Sequence, residues 1–291
     1  MEKLLPLTND YVFKSNFGYK GRENVTRVLL KDIFRKEIDI VELDNNPITE
    51  KEIFDDKVGI MDIKARIGNE SVCNIEMQVV KQDDIVKRIL FYWSNMYFEE
   101  IKAGEDYGNA KKTIGILIAD FELDNLQKIK KYITRWNLRE EKYTKIILTD
   151  IIDIYIIELP KIEKYGNSEE YKNLNLWIKF IKNPEGFNMS EKQRQDKELK
   201  ETVEAIEEVK ENLENMSNTE HERYLAHLRQ KHILDQKSIL KTGIRQGREE
   251  GLQEGMKERS KAIAKKMLEK NKPIEEIMEF TELTKEEIEK L

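Results

Sequence analysis

The sequence predicts an α/β fold: a mixed central sheet flanked by helices, with an all-helical C-terminal extension. Three observations carry this reading. Residues 57–79 alternate apolar and polar side chains around a Gly68-Asn69-Glu70-Ser71 turn, the pattern of a β-hairpin. A helix-length segment at 83–102 leads into an unbroken β-branched run at 113–121 (TIGILIADF), a crossover unit whose strand is parallel to its neighbour. Beyond residue 188 the chain turns to charged residues with sparse apolar spacing, which suits helices and not sheet.

Composition narrows the function classes. Of 291 residues 39% are hydrophobic and 37% charged, so a sizeable core sits under an ion-dense surface. The net charge of −6 excludes a polycation, and any nucleic-acid binding must rest on a local basic patch. No apolar run approaches the ~20 residues of a membrane span. The start, MEKLLPLTND, lacks the apolar stretch of a signal peptide. The single cysteine, Cys73, excludes an internal disulfide, and a cytoplasmic location is expected. His221, His227 and His232 all lie in the tail. The hairpin region therefore has no histidine, which argues against histidine-base nucleases, serine triads and His-ligated zinc.

In chain order, Thr8-Asn9-Asp10 reads as a helix start with Asp10 as the N-cap. Val25, Val28, Leu29 and Phe34 keep helical rhythm, and 38–43 alternates as a short strand. After the hairpin, Asp83 and Asp84 are expected to cap the helix at 83–102, on which Arg88 and Tyr92 share a face. Residues 126–145 read as a helical turn passing into a strand near Tyr132. Lys130, Lys131 and Arg135, with Tyr132 and Trp136 between them, suit either a nucleic-acid contact or a lysine-protected edge strand. Further strands are expected at 143–148 and 154–159. A helix with the stripe Leu174, Trp177, Ile178 and Ile181 closes the compact domain near 188.

The hairpin holds the chemistry. Side chains two apart in a strand share a face, so Asp62 and Lys64 form one same-face pair and Glu76 and Gln78 another. A three-residue loop over 68–70 seats Asp62 opposite Glu76, with Cβ atoms roughly 5 Å apart. Two carboxylates that close repel unless a cation lies between them, and hard oxygen ligands suit Mg²⁺ or Mn²⁺. The same alternation also describes a solvated strand face. The apolar residues enclosing Glu76 (Ile75, Met77, Val79, Val80) favour burial, and a buried acid needs a partner.

Several segments then resemble one known group: TNDYVFKSNFG at 8–18, DDKVGIMDIKA at 55–65, NIEMQV at 74–79, RILFYW at 88–93, GILIADF at 115–121 and IYIIELPKI at 154–162. Together they are similar to the PD-(D/E)XK nuclease superfamily, most closely its Rpn branch of recombination-promoting nucleases and transposases. The resemblance implies a restriction-endonuclease-like core and Mg²⁺- or Mn²⁺-dependent hydrolysis of DNA, linked to recombination or mobile elements. By that likeness Asp62 and Glu76 hold the metal, and Gln78 fills the place of the motif's lysine. A neutral amide offers hydrogen bonds where lysine offers charge, and Lys64 is the nearest replacement on the strand face. Arg88, backed by Tyr92, is expected to touch a phosphate or the Glu76 carboxylate, although an exposed Arg beside a half-buried Tyr reads the same way. Lys130, Lys131 and Arg135 are candidate DNA contacts, and the opening motif gives Asp10 an accessory site role.

The expected organisation is a nuclease-like domain at 1–188 and a charged helical segment at 189–240. A glycine-spaced helix at 241–271 and a short acidic helical pair at 272–291 follow. Gly243, Gly247, Gly251 and Gly255 recur every four residues, and each mid-helix glycine costs about 1 kcal/mol relative to alanine. A smooth stripe for close helix approach explains them, as does a flexible joint. The resemblance favours the helix and a homodimer through the C-terminal helices. In 272–291 seven glutamates face three lysines, which suits a protein contact and not DNA.

Overall fold

A computed structural model describes residues 3–39, 41–43, 63–101, 106–166 and 168–291. It divides into two compact units, 1–233 and 234–291.

The first unit is built on a six-stranded sheet. Its strands are β1 (Val41–Leu43), β2 (Ile63–Ile67), β3 (Ser71–Gln78), β4 (Lys112–Ala119), β5 (Ile133–Trp136) and β6 (Ile152–Glu158). They lie in the order β1-β2-β3-β4-β6-β5. β3, β4 and β6 are parallel, and β1, β2 and β5 run antiparallel to their neighbours. The sheet is therefore mixed, as the hairpin and the crossover unit predict.

The hairpin is closed by Gly68, Asn69 and Glu70 between Ile67 and Ser71, which face each other. Gly68 supplies the left-handed φ of +54° that such a turn requires. Ile63 pairs with Ile75, Lys64 with Asn74 and Ala65 with Cys73, the register expected from the sequence. Asp62 and the rest of the expected first arm lie outside the described residues.

The two faces of the sheet have different cover. Cys73, Ile75 and Met77 of β3, with Ile114, Ile116 and Ile118 of β4, enter the main core. That core is completed by α1 (Asp10–Phe17), α2 (Glu23–Phe34) and the stripe Leu174, Trp177, Ile178 and Ile181, which falls on α5 (Lys172–Lys182), between the short helices α4 (Ile162–Tyr165) and α6 (Glu191–Gln195). On the other face Leu117, Ala119, Ile154 and Ile156 pack beneath Ile85 and Ile89 of α3 (Ile85–Glu99). Trp93 pins α3 to the sheet, its indole N–H donating to the Thr113 carbonyl at 2.9 Å.

Several expectations need correction. Asp83 and Asp84 do not cap α3, since Asp84 occupies the cap position without a side-chain bond. No strand forms at 143–148 among the described residues, where a single bridge joins Arg139 and Ile147. Glu140 instead accepts the backbone N–H groups of Lys142 and Tyr143, which turns the chain, and Ile146, Ile147 and Leu148 stay exposed. β5 is an edge strand, in line with the edge reading of 126–145.

The first unit extends to Ile233. α7 (Lys200–Asn218) inserts Val203, Ile206, Val209 and Leu213 into the main core. Polar pairs tie it to α2 and its flank: Arg27 and Lys31 with Glu201, Arg22 with Glu208 and Asn212. The sparse apolar spacing of this segment is the single buried face of an amphipathic helix.

α8 (Glu220–Glu269) begins in the first unit, where Leu225, Ala226, Arg229 and Ile233 are buried. In the second unit it passes without a break through all four spaced glycines, which are exposed with open space where a Cβ would stand. There Ala264 packs with Ile277 of α9 (Ile274–Thr281), Ile288 of α10 (Lys285–Ile288) and Leu283 between them. Thr284 and Glu287 form the capping box that their spacing predicts.

Candidate active site

Glu76 lies near the C-terminal end of β3, level with Leu117 of β4. Strand alternation turns it away from the main core and toward α3, and only 4% of its surface is exposed. A carboxylate buried there must find donors. Gln78, two residues on and on the same face, donates its amide to Glu76 Oε1 at 2.8 Å. Arg88, one turn into α3, brings Nη2 to within 2.9 Å of the same oxygen.

Arg88 is itself held in place. Its guanidinium lies over the Tyr92 ring at 5.5 Å, and Nη1 donates to Gln82 at 3.3 Å. The expected i, i+4 pairing therefore aims Arg88 at the carboxylate. Burial pushes the Glu76 carboxyl above its ordinary range, against the pull of Arg88 and of the Gln78 amide, while the nearby Asp10 charge adds to the rise.

Asp10 is not the cap of α1; Asn9 is, accepting from the Val12 N–H. Freed from that role, Asp10 is buried and gripped by Arg229 of α8, with Nε 2.9 Å from Oδ1 and Nη2 2.6 Å from Oδ2. Arg229 is the site residue that the sequence reading missed. Its signal is its place on the stripe Leu225, Ala226, Arg229 and Ile233, where a guanidinium on the apolar side of a helix needs a buried acid.

The remaining candidates are elsewhere. Lys64 stands opposite Asn74, not Glu76, and its ammonium lies 3.6 Å from Glu99 at the end of α3. Arg135 makes a two-bond pair with Asp153, both contacts at 2.8 Å, and covers the Tyr155 ring. Lys130 and Lys131 are exposed in the approach to β5, the far edge of the sheet. The row from Glu76 runs through Leu117 and Ile156 to Thr134, three strand spacings or roughly 14 Å. Asp62 lies outside the described residues.

The donor chemistry fits a small hard cation. Glu76 and Asp10 offer carboxylate oxygens, and Mg²⁺ is usually held by one or two carboxylates with water and substrate phosphate completing the shell. Among the described residues no group of three or more His, Cys, Asp or Glu side chains gathers to hold a metal ion.

The sequence matches the family described as PD-(D/E)XK nuclease family transposase over residues 7–243. The chain belongs to that family. The matched span covers the whole sheet, α1, α3 and the first turns of α8, so Asp10, Glu76, Gln78, Arg88 and Arg229 all fall inside it. Comparison with the curated proteins and with the solved structures finds no match. Within the PD-(D/E)XK family transposases the mixed sheet and its helical cover are a restriction-endonuclease-like core. No helix among the described residues is long and apolar enough to cross a membrane.

Proposed function

We propose that this chain is a Mg²⁺- or Mn²⁺-dependent endonuclease that hydrolyses phosphodiester bonds in DNA, in the service of recombination or mobile elements. The observation that carries the reading is the buried Glu76 carboxylate on β3, met by Gln78 at 2.8 Å and Arg88 at 2.9 Å. Ile63 opposite Ile75 is the last described pair of the hairpin, and the reading continues that register by one step to bring Asp62 to Glu76.

In this reading Asp62 and Glu76 hold the cation, with Asp10 as an accessory carboxylate. The bound ion would polarise the scissile phosphate and lower the pKa of the attacking water. Gln78, whose amide already donates into the site, orients that water. Arg88 shares its donors between Glu76 and the phosphate, a task that guanidinium geometry suits. Lys64 is a secondary source of positive charge. Lys130 and Lys131, exposed and free to meet a backbone, track the DNA. Arg135 contributes less, because Asp153 engages two of its donors. The glycine stripe serves a homodimer, and the buried lone thiol of Cys73 suits the reducing cytoplasm.

A second reading keeps the fold without the chemistry, as a DNA-binding or protein-interaction module. Gln78 in the place of the motif's lysine favours it. Plasmid nicking with Mg²⁺ or Mn²⁺, run on wild type, Asp62→Ala and Glu76→Gln beside a gel shift in EDTA, decides between the two. Metal-dependent nicking that both variants lose supports the enzyme. A shift without nicking supports a DNA-binding module, and neither supports a protein-interaction role.

A further inference from the structure

Three consecutive residues of the N-terminal helix start meet one face of α8. Tyr11 Oη donates to Glu222 Oε2 at 2.7 Å, the Asn9 amide donates to the Ala226 carbonyl at 3.1 Å, and Arg229 grips Asp10. Positions 222, 226 and 229 fall on one side of the helix. The first two contacts already dock it. The third adds a buried ion pair, which by itself stabilises little once both charges are desolvated.

Asp10 is also crowded. Its Oδ1 accepts from Arg229 Nε and from the Tyr11 N–H, each at 2.9 Å, and its Oδ2 accepts from Arg229 Nη2 at 2.6 Å. A carboxylate has about four lone-pair positions, so most of them are taken. Arg229 already occupies both oxygens of Asp10, with Nε within 3.0 Å of each and Nη2 on Oδ2. A divalent ion and this guanidinium would have to share one carboxylate in a poorly hydrated place, where two cations repel. That repulsion is relieved if the guanidinium withdraws. Arg88 is anchored by Tyr92 and Gln82, whereas Arg229 is carried by a helix end that other contacts keep nearby.

We propose that Arg229 is a positioning residue that competes with a divalent cation for Asp10, holding the carboxylate in the metal-free protein and yielding it when the ion enters beside Glu76. The inference rests on the reading that Glu76 holds the metal. Because the competition is reciprocal, the ion loosens the start of α8 as much as Arg229 weakens the ion.

The test is Mn²⁺ affinity of the full chain, measured by titration calorimetry without DNA. Arg229→Gln is expected to tighten Mn²⁺ binding by about tenfold, Arg229→Lys to remain near wild type, and Asp10→Asn to weaken binding. Unchanged or weaker binding in Arg229→Gln, with Glu76→Gln abolishing it, overturns the competition and leaves the metal site standing. Wild-type affinity in Glu76→Gln overturns both. If Arg229→Gln does not fold, hydrogen exchange on the wild-type chain decides. Mn²⁺ is expected to raise amide exchange across 222–233, and unchanged exchange there overturns the proposal.

Discussion

Arg88 and Glu76 meet at 2.9 Å across the gap between α3 and β3, twelve positions apart in sequence. The acid is buried and the guanidinium half-buried, and Arg88 is the main opposite charge acting on Glu76. Removing Arg88 takes that compensation from a buried carboxylate. A double-mutant cycle of Arg88→Ala and Glu76→Gln, read by urea unfolding, is expected to give a coupling of about 1–3 kcal/mol. Arg88→Ala alone is expected to lower both stability and nicking.

Gln78 offers a gain-of-function test. Its amide already donates to Glu76 Oε1, so a lysine there can keep the contact and add the charge that the family motif carries. In the endonuclease reading, Gln78→Lys is expected to raise Mg²⁺-dependent nicking by about tenfold, scored against wild type in one plasmid assay.

Asp32 gives a pH signature. Burial pushes its carboxyl up to about 6, although Thr202 and Trp177 both donate to its Oδ2, at 2.8 and 2.9 Å. Between the unfolded value near 3.8 and about 6 the folded chain binds the extra proton, so this group's contribution to stability falls as pH rises through that window. Asp32→Asn keeps one oxygen for both donors and cannot titrate. The variant is expected to gain about 2–3 kcal/mol on wild type between pH 4 and pH 7, measured by denaturant midpoints at each pH.

The glycine stripe predicts association. Gly247 and Gly251 have open space around them, so Gly247→Leu with Gly251→Leu fits the helix and improves its propensity. If two copies approach through the stripe, the added side chains hold them apart. Light scattering is expected to show a dimer for wild type and a monomer for the double variant, with unchanged or increased helicity.

Much of this protein was written in local pattern. The period of two across 63–78, the turn at Gly68, the β-branched run of β4 and the stripe of Leu174, Trp177, Ile178 and Ile181 each fix an element within a few residues of chain. The pairing of Arg88 with Tyr92 and the capping box of Thr284 and Glu287 are local for the same reason. Spacing could not assign what depends on contacts between distant segments. Asp10 looked like a cap because Asn9 and Asp10 are equally good cap residues by type, and the choice between them lies in backbone geometry. The end of the first unit at Ile233, and the arrival of Arg229 at Asp10 from 219 positions away, follow from where α7 and α8 pack. A charged amphipathic helix carries in its sequence the width of its buried face but not the surface that face will cover. That is decided only when the core closes, and here it adds a second guanidinium to the carboxylates of the candidate site.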